Sequence, residues 1–254
     1  MSTTTTAPPT PGAEECLLAD VGGDAPYRRI RRHATGEGLP ALGGLRVIEF
    51  KIAVGDQGED AASLEAKRAM AYSLGGMAKS FAEYGLLDEA QSALQPLRED
   101  LAEAEDRIAQ QVLVAALGNA GLEEDVETIV EFAQSDAPEL RFTAAIALRH
   151  IPNDEAREAL VELGKDVNGE VQRKAFQLME AVDLSAEELE NLSESLEPNL
   201  MAAGGQLDYA KLLLRQIHDR RSGSKVAQSE VASFLDAGLG DKKLRRQMRA
   251  ALED

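Results

Sequence analysis

Histidine is the side chain best suited to proton transfer and metal binding near neutral pH, and this chain has three: His33, His150 and His218. None has a cysteine beside it or a second histidine one helical turn away, the spacing that lets two side chains grip one ion. The single cysteine, Cys16, excludes an internal disulfide framework. Glu14, Glu15 and Asp20 around it disfavour the thiolate that a nucleophile needs. No phosphate-cradling loop, dinucleotide fingerprint, nucleophile elbow or zincin motif occurs. The segment GDQGED at 55–60 has the glycines and acids of a calcium loop without its order of ligands. The 45 Asp and Glu residues read as solvated helix faces and caps, with nothing to mark two of them as a catalytic pair. These residues point to no enzyme, no metal and no cofactor.

What remains is side chains that could read a partner, and the elements that carry them repeat. Sliding residues 122–151 forward by about 31 positions puts Ile129, Val130 and Phe132 on Leu160, Val161 and Leu163. The same step puts Leu140, Ala144 and Leu148 on Val171, Ala175 and Met179, and a backward step puts Leu148 on Leu117. A period near 31, with two helix-length apolar patterns in each unit, predicts an all-α fold: an α-solenoid of antiparallel helix pairs. In that register Arg141 and Arg149 on one second helix correspond to Gln172 and Glu180 on the next. These four residues are the expected partner-reading strip; the competing expectation is that they bond to neighbouring repeats across the turns.

Local chemistry agrees with the period. Gly121 stops one helix and Glu123, Glu124 and Asp125 open the next at the positive end of its dipole. Pro138 suits a first helical turn, Pro152 ends that helix, and Asn153 or Asp154 caps the one after. The helix LRFTAAIALRHI is apolar on nearly every side, with Leu140, Ala144, Leu148 and Ile151 on one face and Phe142 with Ile146 on another. That predicts a helix sandwiched between neighbours, where truncating Phe142 costs several kcal/mol. Upstream, 61–84 reads as a helix with a stripe of Leu74, Met77, Ala78 and Phe81, ended by Gly85. Asp88 then opens a helix with Ala90, Leu94, Leu97 and Leu101 inward.

ALGNAG at 116–121, followed by PELRFTAAIALRHIP, resembles HEAT repeats, and more narrowly the helical domain of the vitellogenin and lipid-transfer family. Glu139, Leu140, Arg141, Ala144, Ala147, Leu148, Arg149 and Ile151 fit that family's helix as they stand. The HEAT resemblance implies a non-enzymatic scaffold or adaptor that binds a protein partner along the solenoid. The vitellogenin resemblance implies a lipid or hydrophobic-ligand module, although the large β-sheet cavity that lipid cargo requires has no room in this chain. Some HEAT-like proteins are lyases, which implies a third role as an accessory subunit of an enzyme.

Past Val182 the sequence period fails. Ser185 and Glu188 make a capping box, and helices follow to about residue 198, over 207–218, 226–237 and 244–252. We divide the chain into a leader over 1–38, disordered by composition and holding the basic stretch YRRIRRH at 27–33, a HEAT-like solenoid over 39–206, and an irregular helical cap over 207–254. Residues 45–54 fit either a strand or a helix. The formal charge is −18. Residues 1–206 hold 17 Lys and Arg against 38 Asp and Glu, and residues 207–254 hold 10 against 7. Such an acidic body repels phosphate backbones and anionic membranes, and with no Trp it lacks base-stacking platforms. No apolar run is long enough for membrane insertion, and residues 1–15 lack a secretory signal's charged and apolar regions, so the expected compartment is the cytoplasm.

Overall fold

The computed structural model describes residues 61–196 and 205–253, with side chains from Glu65 onward. The leader, Cys16, His33, the basic stretch 27–33, the ambiguous segment 45–54 and the loop 55–60 lie outside the described residues. So do residues 197–204.

All regular structure among the described residues is helical, as the apolar periodicity predicts. We number the α-helices α1 (Ala61–Glu83), α2 (Leu87–Glu103), α3 (Arg107–Ala120), α4 (Val126–Ala133) and α5 (Pro138–Leu148). They continue as α6 (Asp154–Leu163), α7 (Gly169–Met179), α8 (Ala186–Ser195), α9 (Gly205–His218), α10 (Ser224–Asp236) and α11 (Lys242–Glu253). Odd-numbered helices stack on one another from α1 through α3, α5 and α7 to α9, forming one layer. In the other layer α4 packs on α6, α6 on α8 and α8 on α10. Chain neighbours also pack in pairs such as α1–α2, α4–α5, α6–α7 and α9–α10. This is the α-solenoid arrangement. Although the sequence period stops near Val182, α9 sits on α7 as α7 sits on α5, and α11 packs on both α9 and α10.

Caps set the helix ends. Gly121 closes α3 at φ 69°, a left-handed turn open to glycine without strain, and its N–H donates to the Leu117 carbonyl. Asp106, Asn153 and Asn168 accept backbone N–H bonds at the starts of α3, α6 and α7. The capping box at α8 forms as expected: Ser185 accepts from the Glu188 N–H while the Glu188 carboxylate accepts from the Ser185 N–H at 2.7 Å. Gly164 serves packing and not a left-handed turn. It ends α6 at an ordinary helical φ of −65° and is small because a Cβ there would lie 2.9 Å from Met179 Cε.

The core is a seam between the layers. Leu94, Leu97, Leu113, Leu117, Ile129, Leu148, Leu160 and Met179 are fully buried, each side chain contributing about 1.5–3 kcal/mol. In α1 the buried residues are Ala71, Gly75 and Ala78, whereas Met77, expected inside, is exposed. The reason is distance: α1 approaches α3 so closely that a Cβ on Gly75 would meet the Ala116 carbonyl oxygen at 2.3 Å. Only small residues fit that seam.

Charged residues tie each unit to the next in one direction. Arg98 on α2 pairs with Asp125 ahead of α4, and Arg107 on α3 pairs with Glu139 at the start of α5. Arg141 on α5 pairs with Asp166 ahead of α7, Arg157 on α6 with Glu188 on α8, and Arg173 on α7 with Asp208 on α9. The cation always comes from the earlier helix and the acid always sits at or before the N-terminal end of the later one, where the dipole favours it. Burial alone would raise the Glu188 pKa. Hydrogen bonds from Arg157 and Ser185 outweigh that and hold the carboxyl below its ordinary range. A carboxyl depressed in the folded state stabilises the fold fully above its unfolded pKa, and that contribution disappears as pH falls through the folded value. Glu188→Gln is therefore expected to lower the urea midpoint at neutral pH, with the gap to wild type closing below about pH 4. A gap independent of pH would show that the ionised pair contributes nothing.

Candidate functional site

Three helices of the odd-numbered layer, α1, α3 and α5, frame an open cleft of about 530 Å³. Its floor exists because the helices nearly touch: a Cβ on Gly118 of α3 would lie 2.3 Å from Ala147 Cα on α5. Over that floor stand the larger side chains. Tyr72 of α1 is 45% exposed, and Phe142 and Ile146 of α5 are half-buried. The expectation that Phe142 and Ile146 are enclosed in a sandwich is corrected here. Ala115 and Gly118 facing them on α3 are short, so α3 leaves their outer edges open, and a half-buried ring does not supply the several kcal/mol of a core phenylalanine. Lys174 of α7 rests its ammonium 5.5 Å from the Phe142 ring centroid, a cation–π contact.

The polar lining is unusual for this protein. Arg68, Arg149 and His150 all line the cleft, with Gln111, Asn119 and Thr143, and no Asp or Glu is among the described lining residues. Arg149 Nε donates to His150 Nε2 at 2.7 Å, so that ring nitrogen is an acceptor and the neutral imidazole carries its proton on Nδ1. Burial, then the charges of Arg149 and Lys79, lower the His150 pKa from its ordinary value. Its burial and its basic neighbours outweigh the dipole at the end of α5, which would favour a cation there. Arg68 Nε is buried without a hydrogen-bond partner among the described residues. On the other layer, a smaller groove of about 270 Å³ between α4 and α6 is lined by Glu155, Glu158, Glu162 and Asp166, among others. The two concavities thus present opposite charge.

The four residues expected to form a strip do not lie together. The Arg141 side chain is only 14% exposed and its guanidinium is committed. It donates to both Asp166 oxygens, at 2.6 and 2.9 Å, and to the Ser135 and Asp136 carbonyls. Gln172 is buried, 5% exposed. Glu180 is half-buried at the end of α7, where its carbonyl accepts from Arg221. Arg149 alone is exposed on the cleft, at the opposite end of α5 from Arg141. The physical reason is that residues near the turns face the next repeat, so equal register does not mean equal access. Arg68 and Tyr72 carried no repeat signal and were not singled out from sequence.

Tyr209 of α9 is the other buried polar group of note. Its ring lies between Phe176 and Phe234 at centroid distances of 5.3 and 5.9 Å, and burial, with the Glu230 charge adding, pushes the phenol above its ordinary pKa range. It belongs to the core. Of the remaining histidines, His218 is exposed at the end of α9. None of the described helices is long and apolar enough to cross a membrane.

No curated protein matches the chain. Residues 94–180, which run from within α2 to the end of α7, match the family model for HEAT repeats.

Proposed function

We propose that this protein is a non-catalytic HEAT-repeat adaptor that binds a segment of a protein partner in the cleft between α1, α3 and α5. HEAT repeats commonly mediate contacts between proteins, and the observation that carries the reading is the half-exposed apolar ridge of Tyr72, Phe142 and Ile146. Large apolar side chains left half open mark a surface built to be covered. A catalytic reading has less support: the imidazole of His150 is held by Arg149, and neither a carboxylate nor a nucleophilic Cys or Ser is among the described residues that line the cleft. The narrower likeness to vitellogenin would add a lipid-binding role, and an open cleft lined by two arginines does not favour it.

The test is capture of a partner by the tagged full chain from its source cells at physiological salt. A stoichiometric protein partner is expected, lost with Ile146→Asp and retained with Val167→Asp, a control at a turn residue that is 99% exposed. Background alone, or a partner indifferent to Ile146→Asp, would overturn the proposal.

A further inference from the structure

Three candidates stand out once the cleft is described: the acid-lined groove between α4 and α6, the exposed basic face of α11, and the charge of the cleft itself. In the first, Asp166 already serves Arg141 and Glu162 already serves Lys165, so part of its charge is spent on the fold. The second helix buries Leu244 and Met248 and leaves Lys242, Lys243, Arg246 and Arg249 in water, which is how a solvated terminal helix looks. The cleft carries more.

The chain holds 45 Asp and Glu against 27 Lys and Arg, yet the described residues that line this cleft include two arginines, a histidine and no carboxylate. Its arginines are also free. Apart from the bond of Arg149 Nε to His150, neither guanidinium makes a hydrogen bond or ion pair with a described residue. This contrasts with Arg98, Arg107, Arg141, Arg157 and Arg173, each of which is matched to an acid of the next unit. Other arginines without an acid, such as Arg246 and Arg249, stand on the exposed face of α11, whereas Arg68 and Arg149 flank an apolar ridge in a concavity, where an acceptor from outside can meet both. A planar guanidinium binds a carboxylate through paired hydrogen bonds stronger than neutral ones.

We infer that the occupant of the cleft is an acidic peptide segment in which an apolar side chain is flanked by Asp or Glu. The inference rests on the adaptor reading above and names the class of partner. The apolar side chain lies against Phe142 and Ile146, and the flanking carboxylates meet Arg68 and Arg149. Gln111 and Asn119 on α3 add side-chain amides, each both donor and acceptor, which match the peptide groups of an extended chain. That amide pair, a cleft within the about 300–1,000 Å³ range of small-ligand sites, and a body of charge −18 favour a short peptide over a nucleic acid. Selectivity follows from the rest of the surface: such a segment is repelled by the acid-lined α4–α6 groove and accepted only at the cleft.

The experiment is panning of a random-peptide display library on the immobilised full chain, followed by fluorescence anisotropy with the enriched peptides and with a poly-deoxythymidine oligonucleotide. Enrichment of peptides with Asp or Glu beside Leu, Ile or Phe is expected. Their affinity should fall about tenfold or more with Arg149→Ala. It should stay unchanged with Arg246→Ala, which removes an exposed cation on α11. Arg149 is exposed, so its variant keeps the wild-type melting temperature and the loss is one of binding. Peptides that are not acidic, or acidic ones indifferent to Arg149→Ala, overturn the inference. If Ile146→Asp still abolishes their binding, the adaptor reading stands without it. No enrichment at all overturns both. Oligonucleotide binding as tight as the best peptide replaces the peptide with a nucleic acid.

Discussion

Arg141→Met is expected to lower the free energy of unfolding by about 3–5 kcal/mol, the cost of breaking a buried ion pair by removing one partner. Four hydrogen bonds from one guanidinium disappear at once: two to Asp166 and one each to the carbonyls of Ser135 and Asp136. Methionine fills the volume of the stem but leaves the Asp166 carboxylate, 6% exposed, facing no cation. Asp166 retains the backbone N–H of Asn168 at 2.7 Å, which is one donor for a group that had three. The pair joins the α4–α5 turn to the α6–α7 turn, so its loss weakens the interface between units as well as a local contact. A solenoid's stability is a sum of units and interfaces, and denaturation followed by circular dichroism should broaden as the halves on either side uncouple. The double variant Arg141→Met, Asp166→Leu should recover part of the loss, because two apolar groups leave no orphaned charge. A single-variant cost below about 1 kcal/mol, the range of an exposed surface pair, would show that this ion pair does not hold the units together.

Arg141 also shows where a sequence stops being informative. Its repeat register with Gln172 is visible in the letters, and so is the helix that carries both. Register alone does not say that a side chain in the first turn of α5 reaches the following repeat while one in the last turn opens onto a cleft. That depends on how far apart stacked helices lie, which small residues on a neighbouring helix decide. Phe142 and Ile146 make the same point. Periodicity marks them as apolar, but whether they are covered depends on Ala115 and Gly118 of α3, which are too short to reach over them. Asp125 looked like an acid favouring a helix dipole; it is 2% exposed and accepts from Arg98 at 2.7 Å, a use that no local pattern reveals. Conversely, the signals that depend only on neighbours along the chain were legible. Gly121, Asn153 and the Ser185–Glu188 box act as their spacing predicts, and Leu140, Ala144, Leu148 and Ile151 form a buried face. Stacking past Val182 was hidden because it needs only a buried stripe on α9, here Tyr209, Leu212, Leu213 and Gln216, and not a constant spacing.

Gly118→Ala is expected to destabilise the fold by about 3 kcal/mol and to close the cleft to its peptide, from the addition of one methyl group. In an exposed helix the same change would stabilise by about 1 kcal/mol, because alanine has the better helix propensity. The sign is reversed by contact. The new Cβ would sit 2.3 Å from both Cα and Cβ of Ala147 and 3.1 Å from its carbonyl carbon. Carbon atoms rest at about 3.5–4.0 Å, so α3 and α5 must part by more than an ångström along their closest approach. Most of the obstruction is backbone, which no rotamer change relieves. Ala147→Gly added to Gly118→Ala should therefore restore only part of the stability, since Ala147 Cα is as close as its Cβ. Chemical denaturation of the two variants checks the stability, and anisotropy with an enriched acidic peptide checks the cleft, whose floor includes Gly118 and Ala147. A stable Gly118→Ala protein with wild-type peptide affinity would mean that the seam between α3 and α5 yields freely, and a site framed by it would then lack the rigid floor that selects one class of partner.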